Sequence, residues 1–296
     1  MQEKYLERRS CNLFYRLWPG AGARQLLVLC HGFSSNGTRW REFAQSTPLL
    51  EDCQILAPDL RGHGRSIYRG RLRSEDWVED LAALLDTEGF DRAIIGGHCL
   101  GANLALRFAN TYPNRTQGLI LVEPMFPEAL SGPLGKLHRV RVLLPLLALI
   151  VRGFNRVGVY RRRVPEVNLT ELDRQFRAVM AESGSRDAVR KRYGSPRHDM
   201  LHMTTSAYLQ ALHEVVRPLP DPSPVQAPAL SLLSRGALFG DPEITRECLS
   251  RIPDIQIEEL DALHWIPTEA HEQMGQLLEA WSRRLIQAPR PDTIAP

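Results

Sequence analysis

Along the first 125 residues, short apolar runs alternate with longer stretches of helical period. Gln25–Cys30 (QLLVLC), Gln54–Ala57 (QILA), Ala93–Gly96 (AIIG) and Gly118–Val122 (GLILV) are each four to six residues long and nearly free of polar positions. Runs of this length predict strands buried on both faces, since a strand with one wet face would alternate. Between the second and third runs, Ser74 stands as a helix N-cap. Glu75 and Asp76 follow in the first turn, and apolar residues at 77, 78, 81, 84 and 85 mark one helical face. Leu100–Ala109 reads as a second helix, leaving the third strand. Strands alternating with helices predict an α/β fold, a mostly parallel sheet sandwiched by helices.

The strand rhythm then stops for about a hundred residues. From Glu128 to Pro224 the pattern is helical and contains no strand-like run, and it closes on Arg217-Pro-Leu-Pro-Asp-Pro-Ser-Pro224, a stiff extended segment. Strands resume at Ala229–Leu233 (ALSLL) and Ile255–Leu260 (IQIEEL), and an amphipathic helix is predicted over about Glu269 to Ile286. The layout is a sheet domain, residues 1–127 and 225–296, interrupted by a helical insertion, residues 128–224. The tail from Ala288 to Pro296 is expected to be disordered.

Charge sharpens this division. The whole chain is only +3, yet from Glu128 to Arg217 sixteen Lys and Arg face eight Asp and Glu. A net charge so small argues against a nucleic-acid binder, whereas a basic insertion raises the local concentration of an anionic substrate or partner. Acyl-CoA phosphates, an acidic acyl-carrier protein and anionic lipid are the candidates, against a solvated helical face paired with an acidic core. The longest apolar run, Val142–Val151, is broken by Pro145 and is half of what a membrane span needs, so no transmembrane segment is expected. It predicts a helix of the insertion packed on the core, with the lining of an acyl pocket as the alternative. Cys11, Cys30, Cys53, Cys99 and Cys248 are scattered without a C-x-x-C pair, which predicts neither a disulfide scaffold nor a metal site. The opening MQEKYLERRS lacks the apolar core of a secretory signal, and a reducing, cytoplasmic setting is expected. No cofactor motif is present.

One turn carries chemistry. Gly97-His98-Cys99-Leu100-Gly101 lies between the strand AIIG and the helix that begins near Leu100. This is the strand–turn–helix setting of a G-x-S-x-G nucleophile turn, with sulfur in place of the hydroxyl oxygen. The flanking glycines suit a bend too tight for side chains. The helix N-terminus favours a thiolate, and the backbone N–H of Leu100 points at a developing oxyanion. A buried inert cysteine is the competing interpretation.

Four segments, LCHGF (29–33), APDLRGHGRS (57–66), GGHCLGA (96–102) and DALHWIPTEAHEQM (261–274), stand in an order and spacing that resembles the α/β-hydrolase superfamily. The resemblance implies a nucleophile–acid–histidine triad, with Cys99 as nucleophile and His264 as base. It also implies a helical cap inserted after the sixth strand of the fold, and a second oxyanion donor at the N–H of Phe33. Many members carry the acid after the strand equivalent to ALSLL, but Ser234-Arg-Gly-Ala-Leu-Phe239 has no carboxylate. Two candidates remain. Glu123 ends the strand GLILV, where a carboxylate is costly without a partner such as an imidazole; Asp241 lies in Gly240-Asp241-Pro242, where a helix cap is the plain alternative. Glu123 is preferred. His31, His98 and Trp265 are expected to shape the substrate pocket, whereas Asp59, Arg61 and His63 of the DLRGHG loop are expected to be structural.

The function expected is cleavage of a carboxylic ester or thioester through an acyl-cysteine intermediate. An acyltransferase that passes the acyl group from a CoA or carrier-protein thioester to another acceptor is the alternative. A non-catalytic binding protein on a hydrolase scaffold is the alternative of another class.

Overall fold

In the computed structural model, which describes residues 1–21 and 23–287, eight strands form one sheet. They are β1 (Gln2–Arg8), β2 (Cys11–Trp18), β3 (Gln25–Cys30), β4 (Cys53–Pro58), β5 (Ala93–His98), β6 (Thr116–Val122), β7 (Ala229–Ser234) and β8 (Ile255–Leu260). Their order across the sheet is β1-β2-β4-β3-β5-β6-β7-β8. The strands from β3 onward are parallel, and β2 joins β4 antiparallel. The predicted tail, 288–296, lies outside the described residues.

The two N-terminal strands form an antiparallel hairpin that extends the sheet at one edge, and they are not legible as apolar runs. β1 reads QEKYLER: Glu3, Tyr5 and Glu7 face solvent, while Lys4, Leu6 and Arg8 are half-buried. β2 is almost entirely buried, yet it carries Arg16, whose guanidinium is neutralised by Asp59 at 2.8 Å. At Ser74 the sequence reading is one residue off. Ser74 is the first helical residue, and the carboxylate of Asp76 turns back to accept the Arg73 N–H at 2.8 Å.

Helices cover both faces of the sheet. α1 (Arg41–Ser46) packs on one face; α2 (Ser74–Thr87) and α3 (Leu100–Thr111) pack on the other. Between β6 and β7 come six helices: α4 (Gly132–Arg139), α5 (Leu143–Arg156), α6 (Leu169–Ser183), α7 (Asp187–Tyr193), α8 (Pro196–Asp199) and α9 (Thr205–Val216). α10 (Pro242–Leu249) separates β7 from β8. The helix expected from Glu269 is split into a short α11 (Ile266–Glu269) and a longer α12 (His271–Gln287), which joins α1 on its face. β3 and β5 run through the centre, and every residue of β5 is buried. The loops after β3, β5, β6 and β8 therefore emerge together at the carboxyl edge of the sheet, where ligand sites form in α/β folds. Among the described residues no helix is long and apolar enough to cross a membrane.

Candidate active site

The chain turns sharply at the end of β5. Cys99 has φ 54° and ψ −112°, a left-handed backbone that non-glycine residues avoid. Its N–H is anchored to Val122 O at 2.8 Å, and Leu100 starts α3 immediately after it. The glycines are needed for close approach. A Cβ on Gly97 would lie 2.5 Å from the Gly101 backbone, and one on Gly101 would lie 2.4 Å from Cys30 O. The sulfur is thereby lifted off the sheet onto the wall of a cavity. The N–H groups of Leu100 and Phe33 donate to no protein acceptor among the described residues, which leaves both available to an oxyanion.

The chain bends the same way one strand over. Val122 pairs with His98, and the residue after it, Glu123, has φ 51°. Its N–H is held by Leu232 O at 2.9 Å. Of its two carboxylate oxygens, Oε1 accepts the Ser234 N–H and Oε2 accepts from His264 Nδ1 at 2.9 Å. With Nδ1 committed to Glu123, Nε2 is the ring nitrogen left for the thiol. Burial opposes a charge on His264, but hydrogen bonding and charge from the Cys99 sulfur and the Glu123 carboxylate outweigh it, and its pKa is raised to about 10. Asp241 stands elsewhere. It caps α10, accepting the N–H groups of Glu243 (2.9 Å) and Ile244 (3.2 Å).

The loop that presents His264 is fixed by Glu269, Ser234 and Arg186, which the sequence reading gave no role at the site, and by His98. Glu269, whose side chain is fully buried, accepts the backbone N–H groups of Leu263 (3.0 Å), His264 (3.3 Å) and Trp265 (2.9 Å). Ser234 Oγ donates to Leu263 O at 3.1 Å, and His98 Nε2 donates to His264 O at 3.0 Å. Arg186, at the start of α7, grips the same loop through Asp261 and Glu269. The sole sequence signal for Glu269 was a carboxylate five residues beyond the histidine.

His31 corrects an expectation. It does not line the cavity; it is fully buried behind it, donating from Nδ1 to Gly32 O and accepting the Leu60 N–H on Nε2 at 3.0 Å. Burial lowers its pKa to about 3, and it acts as a neutral strut between the loops after β3 and β4. Asp59 takes Arg16, the Gly37 N–H and the Arg65 N–H, and Arg61 pairs with Asp80. His63, also buried, stacks edge-on against His31.

The cavity, about 350 Å³, is bounded by core and insertion alike. His98, Cys99, His264 and Trp265 border it, as do Leu134 and Leu137 of α4, Leu212 and Val215 of α9, and Met125 and Phe239. Ser34, Arg39, Tyr193 and Asp199 supply its polar groups. Arg39 is itself buried and bound to Asp173 of α6 at 2.6 Å, with Thr268 and the Tyr193 hydroxyl completing the network. Burial pushes the Asp199 carboxyl up to about 7. The run Val142–Val151, expected on the core or in an acyl pocket, contributes no side chain to this cavity. Only Leu144 and Ala148 of it are buried. Among the described residues no cluster of three or more metal-ligating side chains occurs.

A predominantly parallel sheet, a strained G-x-C-x-G turn between strand and helix, and a histidine on the loop after the last strand together define the α/β-hydrolase fold class. The sequence profile of the alpha/beta hydrolase fold matches residues 25–164. Lipase LipV of Mycobacterium tuberculosis is 35% identical over 109 residues, 37% of this chain and 40% of that protein. The sn-1-specific diacylglycerol lipase ABHD11 of Mus musculus aligns over 88% of this chain and 82% of its own length at 23% identity. Among solved structures, a thermophilic esterase from Thermogutta terrifontis superposes with a TM-score of 0.68 at 22% identity, covering 96% of this chain and 99% of that one. The match to the first of these relatives spans about two fifths of its length. The chain has the α/β-hydrolase fold, and its residues 25–164 match the model of that fold family.

Proposed function

We propose that the protein is an acyl hydrolase that opens a carboxylic ester or thioester through an acyl-Cys99 intermediate. The observation that carries this reading is a sulfur on a strained turn and an imidazole that border the same cavity, with that imidazole in 2.9 Å contact with Glu123. The raised His264 pKa favours an imidazolium that faces sulfur on one side and carboxylate on the other. The thiolate attacks the carbonyl carbon, and the N–H groups of Phe33 and Leu100 receive the oxyanion. The tetrahedral intermediate collapses as His264 passes its proton to the departing alkoxide or thiolate, leaving the acyl group on sulfur. Water, deprotonated by the now neutral His264, then attacks the thioester; Cys99 leaves as thiolate and the carboxylic acid is released. The cavity suits a small to medium acyl chain, with aliphatic walls from α4 and α9.

Cys99→Ala is expected to abolish turnover of short acyl esters and thioesters while leaving the melting temperature nearly unchanged, because the side chain removed is small. Intact-mass measurement after mixing the unsubstituted enzyme with activated esters and acyl-CoAs should show an acyl adduct that this variant lacks. Retained turnover in the variant would refute the mechanism. Added amines or thiols that divert the acyl group away from water would mark a transferase.

A further inference from the structure

α5 is apolar on two sides, and only one of them is covered. Leu144 and Ala148 face inward toward α9, and Asn155 Nδ2 donates to Ser206 Oγ at 3.2 Å. Leu143, Leu147, Ile150 and Phe154, spaced four, three and four residues apart, form a second stripe with Leu146 beside it. All five are between 49% and 57% exposed. Scattered exposed leucines are ordinary on a soluble surface; a contiguous stripe three turns long is not.

The surroundings of the stripe indicate what covers it. From residue 129 to residue 165 the chain has eight arginines and lysines and no carboxylate. Lys136 and Arg139 end α4, Arg152 and Arg156 lie in the last turns of α5 on a side other than the stripe, and Arg161-Arg162-Arg163 follow it. The last cluster is tied to the core, since Arg69 donates to Arg161 O at 3.2 Å and stacks on the Tyr160 ring. We propose that this face docks on an anionic phospholipid bilayer, with α5 lying in the plane of the interface. Aliphatic and aromatic side chains enter the acyl boundary while the arginines meet the phosphates. At fourteen residues α5 is too short to span a bilayer and long enough to lie on one. A second copy of the chain is a poor occupant, because a two-fold interface would bring two such basic rims together. Pro133, Leu134 and Leu137 of the adjoining α4 line the cavity, so the docked face lies next in the chain to the cavity wall.

The full chain should sediment with vesicles of phosphatidylcholine mixed with phosphatidylglycerol, bind phosphatidylcholine vesicles more weakly, and be released by salt. Leu147→Glu/Ile150→Glu should weaken binding to the mixed vesicles about tenfold or more without lowering the melting temperature, since both positions are exposed. Cys99→Ala should bind as the unsubstituted chain does, so the docking face and the proposed chemistry can fail separately. Absence of binding to mixed vesicles at low salt, or undiminished binding by the double variant, overturns the proposal. So does a dimer in sedimentation velocity that the double variant dissolves while vesicles remain unbound, an outcome that would assign the face to a second copy.

Discussion

Cys99 and Glu123 occupy equivalent places on neighbouring strands. Each follows the paired residues His98 and Val122, and each has φ just above 50°. A left-handed conformation costs a non-glycine residue about 1–3 kcal/mol, and it persists only where neighbours over-determine it. Here they do: Val122 O and Leu232 O take the two N–H groups, and glycines clear the space around the turn. Both side chains act on the ring of His264, the Glu123 carboxylate through a contact of 2.9 Å. Glu123 holds the ring by Nδ1 and raises its proton affinity, while Asp241 only caps a helix. Glu123→Gln is therefore expected to lower kcat about a thousandfold, by analogy with the loss seen when a triad carboxylate becomes an amide. It should also shift the His264 titration, followed by NMR, to lower pH. Asp241→Asn should leave kcat and stability unchanged, because asparagine caps as well as aspartate. An equal loss in both variants would show that neither effect comes from the triad.

At the scale of elements, the loop after β8 holds His264 in one fixed place. A histidine on a mobile loop would sample many ring positions. Three consecutive N–H groups, those of Leu263, His264 and Trp265, instead converge on the single buried carboxylate of Glu269, and Arg186 of the insertion closes the far side. Glutamine at 269 keeps the volume but offers one acceptor oxygen where two are used. Glu269→Gln should lower kcat about tenfold with KM little changed, since it moves the base and leaves the cavity walls alone; a change confined to KM would instead place the effect in substrate binding. The strands that carry the site were legible because full burial makes them apolar throughout: QLLVLC, AIIG, GLILV and ALSLL each align with an observed strand. β1 and β2 were not, because an edge strand keeps a wet face and because Arg16 is solvated by Asp59 rather than by water. Glu123 could be weighed from its strand-end position, whereas Glu269 could not: its function lies in accepting backbone hydrogen bonds, which leave no mark on side-chain pattern. The helical period of Val142–Val151 was visible in sequence; its outward stripe was not, because periodicity reports faces and not what lies against them.

At the scale of the whole molecule, the buried titratable groups couple stability to pH in opposing directions. His31 and His63, each held near pKa 3 by burial, and His98, lowered for the same reason, are neutral in the fold. The unfolded chain takes up protons on all three below about pH 6.5, so their contribution is present above that pH and is lost as pH falls toward their folded values. Asp199 works the other way. Its carboxyl, raised by burial to about 7 where α8 borders the cavity, binds its proton more tightly folded than unfolded. Stability from this group is full below about pH 4 and is lost as pH rises to about 7. His264, raised to about 10, gives stability that is present below pH 6.5 and lost as pH climbs through 10. These three histidines thus contribute to the acid limb of the stability profile, Asp199 partly cancels them, and His264 contributes to the alkaline limb together with the buried thiols of Cys11, Cys30 and Cys53, which burial also raises. Asp199→Asn removes the cancelling group alone. Its melting temperature should match that of the unsubstituted protein near pH 4 and exceed it from pH 7 upward, so the acid limb becomes steeper. Parallel profiles for the two proteins across pH 4–8 would mean that the Asp199 carboxyl is solvated in the fold, and that the cavity it borders is wetter than its aliphatic walls imply.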